Sequence, residues 1–228
     1  LAFDAEGGDG LVHVVTGPTF DDGTPPAVIA TLELIGSDAR FGLWMDVDDD
    51  DRADLVLLSD VGAGGSATVS TAINDGTCTA FVMDEPSGLD PAGDLSGAVV
   101  IDADADGRLD LLFFARTRGH ANQLFLRQPG PNHWSHAGDA LGAAAAADSV
   151  TLAAVVLDVD GDFAPDIVLA TTDGVLAFAN RLADGSGFID ASDAVGLWRR
   201  GGAKQIVTFV ATSIAAGDTN GDGATDLV

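Results

Sequence analysis

One segment recurs four times in this chain of 228 residues, and its repetition leaves few folds open. It reads FGLWMDVDDDDRADLVLL from Phe41, GAVVIDADADGRLDLLFF from Gly97, AAVVLDVDGDFAPDIVLA from Ala153 and IAAGDTNGDGATDLV from Ile214. The leading aspartates, Asp46, Asp102, Asp158 and Asp218, are spaced by 56, 56 and 60 residues. Each copy is an apolar run, an acidic loop and a second apolar run. After each of the first three comes another apolar segment: ATVSTAIN from Ala67, NQLFLRQ from Asn122 and VLAFANR from Val175. A fourth segment then opens on an aromatic residue, at Phe81, Trp134 and Phe188, carries a central acid, and reaches a glycine some seven residues later. Short apolar runs separated by turn residues every eight to twelve positions, roughly, mark strands. No stretch of about twelve residues keeps a helical period.

Four strands in a unit of about 57 residues suit a β-propeller blade, somewhat longer than usual. The expected fold is therefore all-β, a propeller of four-stranded blades. Blades are expected at 41–96, 97–150 and 151–211, with a further blade starting at 212–228 and residues 1–40 supplying strands that complete a blade. The stretch LAFDAEGGDGLVHVV from Leu1 looks like a worn copy of the loop between two strands. The fourth copy stops at Val228 inside a strand, so either the N-terminal strands close a small ring with it or further blades are missing; the second is preferred, and the chain is read as part of a larger ring of about seven blades.

In every loop, oxygen-bearing side chains stand at positions 1, 3, 5 and 9, all of them acids except Asn220, a spacing that lets one loop wrap oxygen ligands around a hard cation. They are Asp46, Asp48, Asp50 and Asp54; Asp102, Asp104, Asp106 and Asp110; Asp158, Asp160, Asp162 and Asp166; and Asp218, Asn220, Asp222 and Asp226. A main-chain carbonyl at position 7, from Arg52, Arg108, Ala164 or Ala224, is the expected additional ligand. An all-oxygen set without Cys or His favours calcium over zinc, and the ligand number favours calcium over magnesium. Three to four calcium ions are expected. Position 6 calls for a sharp turn, and Gly107 and Gly223 supply it, whereas Asp51 and Phe163 stand there in the other two loops. An EF-hand would need a glutamate at position 12 and flanking helices; Leu57, Phe113 and Leu169 occupy that position and exclude it.

These residues resemble the FG-GAP and VCBS repeats of integrin α-subunit propellers and of many secreted proteins. AAGDTNGDGATDLV and IDADADGRLDLLFF carry the resemblance to the loop motif, while NQLFLRQPG and FIDASDAVGL are similar to the cartilage acidic protein-like branch. The resemblance covers roughly residues 41–228. It implies a propeller, commonly of seven blades, with structural calcium in loops joining the first and second strands at one rim. Ligands of such families bind elsewhere, on the opposite face or a blade edge. It also implies a secreted or cell-surface setting and a role in adhesion.

Other signals are weaker. Gly62, Gly64 and Ala67 imitate a dinucleotide-binding fingerprint, but a strand follows instead of the helix whose N-terminus would hold the pyrophosphate. Trp134, flanked by His133 and His136, shares its repeat position with Phe81 and Phe188 and so reads as core. Trp198, Arg199 and Arg200 form a basic spot in an otherwise acidic chain. No nucleophile elbow and no Cys–His pairing is present, so the chain is not expected to be an enzyme. A net charge of −26 excludes a nucleic-acid or anionic-membrane surface. No apolar stretch reaches the 18 or so residues of a transmembrane helix. The one cysteine, Cys78, cannot form an intrachain disulfide. The expected function is a calcium-binding extracellular module whose partner is a protein or a carbohydrate. The alternatives are the propeller of a polysaccharide-acting enzyme and a structural subunit of a surface assembly.

Overall fold

The computed structural model describes residues 2–3, 11–15, 28–33, 38–60, 67–77, 80–146, 148–195, 212–222 and 225–228. The fold is all-β. The described residues contain no α-helix, only short 3-10 turns at Gly138–Ala145 and Leu182–Asp184. None of them forms a helix long and apolar enough to cross a membrane. The chain divides into two compact units, one of residues 1–94 with 128–134, the other of residues 95–127 with 135–228.

In the first unit, β1 (Ala2–Phe3), β2 (Leu11–Val15) and β3 (Val28–Glu33) form a three-stranded antiparallel sheet in that order. β1 and β2 are antiparallel, with Ala2 opposite His13, and the loop residues 4–10 read as a worn repeat lie outside the described residues. A four-stranded antiparallel sheet follows in chain order: β4 (Asp38–Met45), β5 (Asp54–Asp60), β6 (Thr68–Asn74) and β7 (Phe81–Asp84). The two sheets share a core of Val12, Val14, Leu32, Leu55, Leu57 and Ala72.

β8 (Leu95–Ile101), β9 (Asp110–Ala115) and β10 (Gln123–Arg127) of the second unit make one meander with β11 (Trp134–His136), whose first residue is counted with the first unit. β12 (Thr151–Leu157), β13 (Asp166–Thr171), β14 (Gly174–Arg181) and β15 (Gly187–Asp190) make another. β16 (Ala216–Gly217) pairs with β17 (Asp226–Leu227) around the fourth acidic loop. Ile101, Leu112, Phe114, Ile167, Leu169, Phe178 and Phe188 belong to one core joining the two meanders. The second strand of each meander is buried along its whole length. That is why LLFFA and IVLAT read as unbroken apolar runs: both faces of these strands are covered, and alternation would expose polar side chains to the core.

The glycine of the fourth segment has a packing reason. A Cβ on Gly88 would lie 2.2 Å from the carbonyl oxygen of Trp134, and one on Gly142 would lie 2.8 Å from that of Phe188. In each case the residue approached is the aromatic that opens the next copy's fourth segment. Ser87 accepts from the Trp134 N–H at 2.8 Å and donates its own N–H to Asn132 at 3.0 Å, which fixes that approach. Trp134 is 2% exposed, in keeping with a core position, while His133 and His136 lie at the surface.

Candidate metal centre

Each acidic loop bridges the first and second strands of its sheet, and the hairpin register places its ends opposite one another: Met45 faces Asp54, Ile101 faces Asp110, and Leu157 faces Asp166. Positions 4 and 6 are left-handed in each of the first three loops. Position 4 is Asp49 (φ 64°), Ala105 (57°) or Gly161 (82°); position 6 is Asp51 (63°), Gly107 (85°) or Phe163 (68°). The turn that favours glycine at position 6 is therefore made in the first and third loops by residues with side chains, which adopt the conformation at a cost.

The four acids of a loop have different jobs. The position-1 carboxylate gathers the loop backbone: Asp46 Oδ1 accepts from the Asp49 N–H at 2.8 Å and its Oδ2 from the Asp51 N–H at 2.8 Å. Asp158 likewise accepts from Gly161 at 2.7 Å and Phe163 at 3.0 Å. Asp102 accepts from Asp106 and Gly107 at 3.1 Å each, and Asp218 from Gly221 at 2.6 Å.

The position-9 carboxylate ties three strands. One oxygen accepts from the N–H at position 2: Val47 to Asp54 at 2.9 Å, Ala103 to Asp110 at 2.8 Å, Val159 to Asp166 at 2.8 Å and Thr219 to Asp226 at 2.9 Å. In the first three loops the other oxygen accepts from the end of the third strand, at Asn74 (2.8 Å), Arg127 (2.7 Å) and Asn180 (2.7 Å). Asp54, Asp110 and Asp166 are fully buried. Burial pushes the Asp110 carboxyl up to about 6, against the lowering effect of its two backbone hydrogen bonds. Burial also raises Asp166.

The position-3 acids, Asp48, Asp104 and Asp160, complete the convergence. One carboxylate oxygen from each of Asp46, Asp48 and Asp50 lies within 4.8 Å of the others, and the same holds for Asp102, Asp104 and Asp110, and for Asp158, Asp160 and Asp166. Asp54, Asp106 and Asp162 were expected in the same shells but are not members of these groups. Asp106 and Asp162 are instead turned to the guanidiniums of Arg108 and Arg181. Burial and then the charges of Asp54, Asp50 and Asp46 raise the Asp48 carboxyl; burial and then Asp106 raise Asp104. Oδ1 of Asp48 is buried with no hydrogen-bond partner. Crowded carboxylates with an orphaned buried oxygen and no sulfur or nitrogen donor fit a hard divalent cation.

At position 7, the N–H groups of Arg52, Arg108 and Ala164 donate to the position-5 oxygen at 2.9, 2.8 and 2.9 Å. In the fourth loop, Asp222 donates its N–H to Asn220 at 2.8 Å, while Gly223 and Ala224 lie outside the described residues, as do Gly62, Gly64, Cys78, Trp198, Arg199 and Arg200.

Neither a family model nor a curated protein matches the sequence. Among solved structures, the chain aligns with a lectin of Agrocybe aegerita whose structure concerns specific recognition of non-reducing terminal N-acetylglucosamine. The identity is 14% and the TM-score 0.48, over 96% of this chain and 60% of the lectin chain. This chain thus spans a little less than two thirds of the lectin's length.

Proposed function

We propose that this chain is a calcium-stabilised β-propeller module that presents a rigid extracellular surface to a protein or carbohydrate partner. The observation that carries the reading is the threefold convergence of carboxylates at the same loop of three successive four-stranded sheets. Asp46, Asp48 and Asp50 would hold the ion in the first loop, Asp102, Asp104 and Asp110 in the second, and Asp158, Asp160 and Asp166 in the third. The ion supplies positive charge that offsets carboxylate repulsion and stabilises the folded state by mass action. Its role is structural, because the acids that would hold it include those that gather the loop backbone and those that tie the loop to the third strand. With a net charge of −26, the favoured partners are cations and cationic or neutral surfaces.

The test is thermal unfolding in millimolar calcium, in magnesium and in chelator, with bound calcium counted by elemental analysis. A calcium-specific rise in Tm with three or four ions per chain is the expected result. No shift and no bound ion would remove the calcium reading and leave an acidic β-repeat of another purpose.

A further inference from the structure

In each of the first three loops a guanidinium lies against Oδ2 of the position-5 carboxylate, and the third loop obtains it from a different part of the chain. Arg52 pairs with Asp50 and Arg108 with Asp106, each from position 7 of its own loop. Position 7 of the third loop is Ala164, which has no charge to offer. There Arg181, at the end of β14, reaches back with Nη1 on Asp162 and Nη2 on Asp160. The same contact made from two chain positions is tied to the loop's charge rather than to one local turn.

Asp158, Asp160, Asp162 and Asp166 put four carboxylates into one turn, and a guanidinium fork can satisfy two of them at once. The neighbouring Asn180 N–H is fastened to Asp166 Oδ1 at 2.7 Å, so the base of the Arg181 side chain is held beside the loop. The oxygen of Asp160 that Arg181 occupies belongs to a carboxylate of the converging group. A cation held by Asp160 and the Arg181 guanidinium compete for the same carboxylate.

On the calcium reading above, we infer that Arg181 is a resident counter-ion of the third loop: it holds Asp160 and Asp162 in the cation-free protein and is displaced when calcium binds. Reciprocity then requires that removing the arginine tightens calcium binding at this loop and destabilises the cation-free state.

The experiment is a calcium titration of the isotope-labelled chain, following the backbone amide of Gly161 for the third loop and that of Gly107 for the second. Wild type, Arg181→Gln and Arg181→Lys are compared, with Tm measured in chelator. In Arg181→Gln the Gly161 titration should shift to about threefold to tenfold lower calcium, the Gly107 titration should stay in place, and the chelator Tm should fall. Arg181→Lys keeps the charge without the fork and should lie between the two, which preserves the test if the glutamine variant does not fold. Unchanged or weaker calcium binding at Gly161 in the variants, with Gly107 still titrating, overturns the counter-ion role and leaves the calcium reading standing. If neither amide responds to calcium in any of the proteins, the calcium reading falls and the counter-ion role with it.

Discussion

Asn132 Nδ2 lies 2.8 Å from Asp84 Oδ2 and 2.7 Å from Thr71 Oγ1, while its own Oδ1 accepts from Trp134 Nε1 at 3.1 Å. The segment carrying Asn132 is thereby latched onto the edge of the β4–β7 sheet. Asn132 is 3% exposed and holds a left-handed φ of 48° that asparagine tolerates better than most residues. Asn132→Ala strands the buried Thr71 hydroxyl and Trp134 indole N–H and should cost about 2–4 kcal/mol in denaturant unfolding. Asn132→Asp sets a second carboxylate against Asp84 Oδ2 and should destabilise at neutral pH through their repulsion. An Asn132→Asp variant as stable as wild type at neutral pH would show that the latch lies elsewhere.

Gly88→Ala meets two obstacles, a left-handed φ of 80° and a backbone oxygen 2.2 Å from the added methyl. Gly119 shares the conformation, at φ 90°, but has nothing within 4 Å of its added Cβ. Gly119→Ala should therefore cost about 1 kcal/mol and Gly88→Ala at least about 2 kcal/mol. Equal costs, measured by the same denaturant midpoints, would mean that the Trp134 approach relaxes freely.

Asp166 and Asp160 both belong to the converging group, but only Asp166 also fastens the loop to the backbone around it. Asp166→Asn leaves one of two buried backbone N–H groups facing an amide nitrogen and should lower stability in chelator by about 1.5–3 kcal/mol. Asp160 is half-exposed and meets Arg181, so Asp160→Asn should change stability in chelator by no more than about 1 kcal/mol while reducing the gain in Tm that calcium brings. Unfolding curves with and without calcium distinguish the two.

Phe163 is 95% exposed yet sits at φ 68°. A ring that packs on nothing cannot compensate a left-handed backbone, so Phe163→Gly should stabilise the fold by roughly 1 kcal/mol or leave it unchanged once glycine's greater unfolded entropy is counted. A marked loss of stability would reveal a packing role for the ring.

The acids and their spacing were legible from sequence, because position along the loop is all that is needed to see that carboxylates must crowd. What each acid does was not. Asp54, Asp110 and Asp166 look equivalent to their neighbours on paper, but their oxygens are engaged by N–H groups from strands 14 to 20 residues away, a relation set by hairpin register. The pairing of Arg181 with the third loop was invisible for the same reason, since 19 and 21 residues separate it from Asp162 and Asp160. The glycine of the fourth segment was visible as a pattern, and only the approach of Trp134 and Phe188 gives it a cause. Conversely, Asp51 and Phe163 look unfit for a glycine-favouring turn, yet both adopt it, because the Asp46 and Asp158 carboxylates hold the surrounding N–H groups in place.

The wholly buried second strands have a further consequence for how the chain fails. Asp110–Ala115 and Asp166–Thr171 are proline-free segments of six residues that carry one charge each, at their first position. Exposed by partial unfolding, such segments are templates for cross-β stacking. Each follows directly on an acidic loop, so an opened sheet displays a block of like charge beside its sticky strand, and approaching copies repel one another. That protection is electrostatic and weakens with ionic strength. Heat-stressed protein should therefore remain dispersed in dilute buffer and coagulate as salt is added.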